Sequence, residues 1–255
     1  MKAKFFTWNF FQSLAFLVVI YVNYLANSLP INGKTTGELS GLYPNYFVPA
    51  GITFSIWGII YLLLIVYVVQ SWLIKPNCST PFRSDRYVWF ILSSVGNAGW
   101  IFAWHYQLIW LSMGLMLLLL FSLIRLYLLT RNDRWTLRVP SSIYLGWITV
   151  ATIANATTLL VDLGWKGGFL SEPVWAIIMM TVAVLLSSFI RFRHSDPYFQ
   201  AVVLWAIFGI YLKFSTSSLP SASNMQVAAL ILIVLTALSL IIPFFLKKRP
   251  AIKFT

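Results

Sequence analysis

Eight long apolar runs dominate this sequence, and each is about 20 residues long, the length a helix needs to cross a bilayer. Inside hydrocarbon every backbone polar group must find its partner within the chain, so such a run forms a helix. The breaks between the runs are rich in Gly, Pro, Ser, Asn and charged residues, as turns are. The predicted spans cover approximately residues 8–27, 50–74, 87–105, 108–130, 139–161, 170–190, 198–216 and 225–246.

The composition excludes the soluble classes of protein. Only 9% of the 255 residues are charged and 60% are hydrophobic, whereas soluble domains carry about 25% charged residues. A water-soluble enzyme and a disordered chain are therefore excluded. The single cysteine, Cys78, excludes an intramolecular disulfide and a thiolate zinc or iron–sulfur site. We predict an all-α, polytopic membrane helix bundle.

The positions of Lys and Arg predict the orientation of this bundle. With both termini in the cytoplasm, all of the 18 basic residues except Lys34, Lys166 and Lys213 fall on the inner side. The formal charge of +12 is thus explained by topology and by contact with anionic lipid headgroups, and nucleic acid is not an expected partner. We expect an integral protein of a bacterial plasma membrane.

Aromatic and amide side chains recur at helical spacing in three of the spans. They form the stripes Trp57 and Tyr61 in the second span, Asn97, Trp100 and Trp104 in the third, and Tyr144, Trp147, Ala151 and Asn155 in the fifth. At 1.5 Å per residue, Trp57, Asn97 and Trp147 lie near the middle of a hydrocarbon core about 30 Å thick. Such groups either line an aromatic cavity for a flat apolar ligand or join helices through interhelical hydrogen bonds.

The remaining polar side chains do not indicate a catalytic, metal-binding or ion-coupled site. Arg125 and Lys213 lie close enough to the ends of their spans to reach an interface. No span has a deep acidic residue, which argues against a proton relay or a sodium site. His105 lies at a span boundary and His194 in a loop, so neither is expected to bind a metal. No hydrolase triad or phosphate loop indicates catalytic residues.

Three motifs resemble a known family. Pro44 to Pro49 followed by Trp57 and Tyr61 is similar to its proline-rich entry into the second helix, with Tyr46 in place of a Trp. Asn97-Ala98-Gly99-Trp100 is similar to its third-helix motif. The Tyr144-x-x-Trp147-x-x-x-Ala151-x-x-x-Asn155 pattern is similar to its fifth-helix motif, with Ile143 replacing a Pro. The family is TspO/MBR, the tryptophan-rich sensory proteins, and the resemblance covers about residues 8–161.

The resemblance implies a five-helix bundle over residues 1–163, whose cavity is closed by the long first loop, about residues 28–48. Residues 164–255 would then be three additional transmembrane helices. The family binds tetrapyrroles such as protoporphyrin and, in some members, sterols and synthetic apolar ligands. By resemblance, Trp57 and Asn97 would contact ligand, Trp147 would stack on it and Tyr46 would cap the mouth. The complete predicted ligand-binding set is Tyr46, Trp57, Tyr61, Asn97, Trp100, Tyr144, Trp147 and Asn155.

The leading functional hypothesis is a membrane receptor or carrier for a porphyrin-like or other flat apolar ligand, with no covalent cofactor. The alternative is a hydrophobic-solute transporter or a permease-like membrane subunit. An enzymatic role stays open, because the family is associated with light- and oxygen-dependent porphyrin breakdown. Besides the lipid bilayer and the apolar ligand, a second copy of the chain is a candidate partner.

Overall fold

The computed structural model describes residues 2–28, 31–74 and 83–246. Cys78 lies outside the described residues, as do five residues of the predicted inner basic clusters, namely Lys75, Lys247, Lys248, Arg249 and Lys253. The orientation predicted from the basic residues therefore stays a prediction.

The described residues form eight long helices and one short helix, with no strand among them, so the all-α prediction is confirmed. Two short 3-10 turns, Ile31–Gly33 and Gly51–Ser55, complete the first loop. The helices are α1 (Lys2–Ser28), α2 (Thr36–Gly41), α3 (Ile56–Leu73), α4 (Ser84–His105), α5 (Ile109–Thr130), α6 (Trp135–Asp162), α7 (Glu172–His194), α8 (Pro197–Ser215) and α9 (Ala222–Leu246).

Within the described part of the chain, seven of the eight long helices are long and apolar enough to cross a membrane. The eighth, α4, has the same length as α5 but begins with Asp85 and Arg86 and carries a run of small and polar residues to Asn97. It packs between α1 and α5, and its Ser93, Ser94 and Asn97 side chains are buried in protein. The chain is a polytopic membrane helix bundle, as predicted.

The second predicted span differs from the structure at its start. Hydropathy places that start near residue 50, whereas α3 begins at Ile56 and is preceded by the 3-10 turn. The backbone of this turn is tied to another helix, because the Ala50 N–H donates to the Gly209 carbonyl of α8 at 3.0 Å. Pro49 also has no N–H to give to a helix. A tertiary contact thus replaces the first helical turn.

Apart from the first loop, short connections join the successive long helices. The α4–α5 connection is a tight hairpin of residues 106–108, as expected from the sequence. Helices α7, α8 and α9 pack on one another, and α8 joins them to the rest of the bundle through α6. At this junction a Cβ on Gly146 would lie 3.1 Å from the Phe199 carbonyl oxygen, so the glycine allows a closer approach than a larger residue would.

The first loop covers one end of the bundle, which we call the lid end. Its short helix α2 begins with a capping box in which Thr35 and Glu38 bond to each other's backbone N–H groups. These bonds from Thr35 lower the pKa of Glu38. The buried His105 ring holds the loop on α4 through Thr36 Oγ1 at 3.1 Å and the Ile31 carbonyl at 2.9 Å. The loop is therefore a folded lid.

Candidate functional site

A small cavity, the inner cavity, lies beneath the lid between α3, α4 and α6. Its free volume is about 50 Å³. Its wall is mostly aromatic and includes Phe54, Trp57, Trp100, Trp104, Trp147 and Asn155. The lid contributes Thr36, Ser40, Val48 and Pro49. Residues of all three stripes read from the sequence therefore meet at one aromatic site.

The aromatic rings of the inner cavity contact each other largely edge to face. The Trp57 ring lies 6.3 Å from the Trp147 ring at 84° and 5.9 Å from the Tyr144 ring at 69°. Trp57 also stacks on Tyr61 at 5.6 Å, and Trp100 stacks on Trp104 at 5.8 Å. Edge-to-face and offset arrangements are the favourable geometries for aromatic pairs. The site is therefore a preformed aromatic wall.

In the part of the chain that the structure describes, two indoles of the inner cavity, those of Trp100 and Trp104, donate their N–H groups to protein acceptors, whereas that of Trp147 does not. Trp100 donates to Asn155 Oδ1 at 3.0 Å, and Trp104 donates to the Thr36 carbonyl at 3.3 Å. Trp147 is 3% exposed, and its N–H has no hydrogen-bond partner within the described residues. A buried donor without a partner costs about 1–3 kcal/mol. Trp147 is thus a buried side chain of the wall whose N–H is free to donate to a ligand.

Asn97, the most central predicted amide, joins helices. Its Oδ1 accepts from Asn23 of α1 at 2.7 Å and its Nδ2 donates to the Tyr144 hydroxyl of α6 at 3.0 Å. The side chain is fully buried and does not belong to the wall of the inner cavity. Asn155 also bridges helices, since it accepts from Ser112 of α5 at 2.8 Å. Interhelical bonding is therefore one function of these amides.

The structure brings the predicted set together in two layers. Trp57, Trp100, Trp147 and Asn155 line the inner cavity. Tyr61, Asn97 and Tyr144 lie behind this wall, where they contact Trp57 or one another. Tyr46 lies outside it, stacked on Phe214 of α8 with ring centroids 5.8 Å apart. Whether these residues bind a ligand stays a prediction.

Two larger cavities lie at the lid end, and one of them adjoins the inner cavity. The first, which we call the vestibule, has a volume of about 690 Å³ and shares Ser40, Val48, Pro49 and Phe54 with the inner cavity. The second, which we call the lateral cleft, has a volume of about 420 Å³ and lies between α6 and α7. The vestibule and the cleft share Tyr46 and Trp165 among their wall residues. The vestibule therefore shares a wall with each of the other two cavities.

Hydrogen bonds from α8 hold the wall between the inner cavity and the vestibule in place. Lys213 Nζ donates to the Asn45 and Val48 carbonyls at 2.7 and 3.0 Å. About two helical turns away along α8, Trp205 donates its indole N–H to the Thr53 carbonyl at 3.0 Å. Together with the Ala50–Gly209 bond, these contacts hold residues 45–53 at the surface of α8.

Sequence reasoning missed several residues of this site. Trp104 was noted in a stripe but not included in the set, although it lines the cavity and bonds to the lid. Lys213 was expected to reach the membrane interface, whereas its ammonium group bonds to lid carbonyls. An isolated lysine inside an apolar span was the available signal for it. Among the residues the structure describes, no group of His, Cys, Asp or Glu could hold a metal ion.

Comparison with known proteins gives one match. A family model described as TSPO-like protein matches residues 9–242. The match extends beyond residue 161, where the motif resemblance ends, across α7 and α8 and into α9. No curated protein and no solved structure matches this chain.

Proposed function

The chain belongs to the TSPO-like protein family, and from this premise we propose that it is a membrane receptor or carrier that binds a porphyrin-like or other flat apolar ligand against the aromatic wall of the inner cavity. Apolar burial and ring stacking supply most of the binding energy in such sites, and a few polar groups orient the ligand.

The observation that carries this proposal is the unpartnered indole N–H of Trp147. This side chain lines the inner cavity, is buried and lies edge-on to Trp57 and Phe54. Buried polar groups are normally hydrogen-bonded, and each exception needs a reason. A ligand acceptor would satisfy this donor, whereas the indoles of Trp100 and Trp104 already have protein partners.

Ligand binding requires the wall shared with the vestibule to move. The inner cavity holds about 50 Å³, whereas sites for ligands of drug size occupy about 300–1,000 Å³. The vestibule, at about 690 Å³, supplies the missing space once Val48, Pro49 and Phe54 are displaced. These residues belong to the entry of α3, where a 3-10 turn replaces regular helix. The ligand would then lie across both cavities.

Titration with protoporphyrin in detergent, followed by tryptophan fluorescence, tests the proposal. Trp147→Phe keeps a ring and removes the N–H, so the affinity should fall about fivefold, as expected for one hydrogen bond of roughly 1 kcal/mol. Trp57→Leu removes the central ring and should weaken binding at least as much. Trp135→Phe is the matched control, because Trp135 is 64% exposed at the opposite end. Saturable binding that neither cavity variant weakens would contradict the proposal.

A hydrophobic-solute transporter is the second candidate, and the position of the vestibule between the inner cavity and the lateral cleft favours it. A solute could pass from the lateral cleft through the vestibule to the inner cavity once the wall formed by Val48, Pro49 and Phe54 moves. Flux of a hydrophobic dye into vesicles that contain the protein separates the two candidates. A carrier or receptor binds the porphyrin without catalysing dye flux. Saturable flux that Trp147→Phe slows would favour the transporter.

A further inference from the structure

We propose that the lateral cleft and the vestibule form a second binding site, for an anionic membrane lipid. One acyl chain lies in the cleft between α6 and α7, and the headgroup contacts Lys166 and Lys213. This site differs from the inner cavity, because neither lysine lines that cavity, and the two proposals have only the vestibule in common.

The cleft has the surface an acyl chain needs. Its walls include Ala156 and Leu160 of α6 and Met179 of α7. The two threonines in the cleft are internally satisfied, since Thr152 and Thr157 donate their hydroxyls to carbonyls four residues earlier in α6. From Thr152 to Val161 the cleft follows α6 over about 14 Å, close to half of a hydrocarbon core about 30 Å thick. The cleft therefore has the length of one leaflet.

The depth of the cleft follows from the aromatic residues at its upper end. Trp175 contacts Trp165 at 5.7 Å and Phe169 at 6.1 Å, and Phe169 is 89% exposed. Exposed aromatic clusters at helix ends mark the level of the lipid headgroups. Lys166 follows Trp165 directly, so its ammonium group lies at headgroup level while the cleft lies at the level of the chains.

The charges of the vestibule favour an anionic headgroup. Lys213 uses two of its three N–H donors on lid carbonyls, which leaves one donor. Within the described residues neither Lys166 nor Lys213 forms an ion pair, although Lys213 is half-buried. Glu172 is the one acidic residue that lines the vestibule, and it lies in the first turn of α7, where the helix dipole compensates its charge. A half-buried cation without a counter-charge is stabilised by a bound anion.

Native mass spectrometry of the full chain in detergent tests this site. Phosphatidylglycerol and phosphatidylcholine with the same acyl chains are titrated separately, and the first bound lipid is quantified. We expect tighter binding of phosphatidylglycerol. Lys166→Gln should weaken it about fivefold and leave phosphatidylcholine unchanged. Ala156→Phe fills the cleft and should weaken both lipids.

Matched variants separate this site from general effects of charge and bulk. Lys34→Gln removes an exposed lysine that lines none of the three cavities, and Ala201→Phe adds a ring to the exposed surface of α8. Equal affinity for the two lipids, or cleft and lysine variants that behave like these controls, would overturn the proposal. Displacement of the lipid by inorganic phosphate alone would also overturn it, because the vestibule would then be only an anion site. Protoporphyrin affinity should not change in Ala156→Phe.

Discussion

Gly209 tests most directly whether α8 holds the entry of α3. A Cβ built at this position overlaps the Thr53 side chain and lies 2.9 Å from the Pro49 Cβ. The Gly209 carbonyl also accepts the Ala50 N–H at 3.0 Å. Gly209→Ala therefore forces the two segments apart and stretches a hydrogen bond between them.

Three contributions determine the size of this effect. Alanine is favoured over glycine in a helix interior by about 1 kcal/mol. Against this, overpacking costs about 1–3 kcal/mol, and losing the hydrogen bond costs about 1 kcal/mol. The net expectation is a destabilisation of about 1–3 kcal/mol. Gly114→Ala in α5 is the matched control, because a Cβ there meets no atom within 4 Å and only the helix-propensity gain remains.

Thermal unfolding in detergent distinguishes the two glycines. A change of 1 kcal/mol shifts the midpoint by roughly 2–4 °C in a protein of this size. Gly209→Ala should therefore lower the midpoint by about 2–12 °C, and Gly114→Ala should leave it unchanged or raise it. If Gly209→Ala were as stable as Gly114→Ala, α8 would not approach the α3 entry as described, and the reasoning about the lid wall would be refuted.

Three further outcomes are expected. Asn97→Ala breaks two buried interhelical bonds and should destabilise the bundle by about 1–3 kcal/mol. The protoporphyrin affinity of the folded fraction should not change. A loss of affinity without a loss of stability would instead make Asn97 a ligand contact. Lys213→Met removes both lid bonds, so amide hydrogen exchange should accelerate in residues 43–50 and not in α5. Glu38 has a lowered pKa in the folded lid, so its support of α2 is present above the unfolded pKa and is lost as pH falls through the folded value. Exchange in α2 should accelerate on acidification, and Glu38→Gln should remove this pH dependence.

Hydropathy predicts the helices well, because membrane helices depend on local composition. All eight long helices occur where apolar runs were found, and most ends agree within a few residues. The starts of α1 and α3 differ most, since α1 begins six residues before its predicted start and α3 six residues after it. At α3 the apolar run continues back to residue 50, but the Ala50 N–H bonds to Gly209 of α8. No local pattern reveals a hydrogen bond that joins positions so distant in sequence.

The sequence predicted which side chains of the candidate site lie at one level of the bundle, but not their hydrogen-bond partners. Helical spacing placed Trp57 and Trp147 at one level, and their rings do contact each other. Helical spacing could not decide whether Asn97 lines the cavity or joins helices, because the answer depends on its hydrogen bond with Asn23 of α1. Lys213 shows the same limit, since its partners are carbonyls that every residue possesses.

The fastening of the lid to α8 couples two distant parts of the chain. Under the proposed function, a ligand that displaces the wall of the inner cavity must first break the contacts between this wall and α8. Coupling between two sites is reciprocal. The contacts between α8 and the wall therefore weaken ligand binding, and a bound ligand weakens those contacts by the same free energy. Sequence changes in α8 would therefore tune ligand affinity without touching the ligand, and the resting protein would favour the empty state.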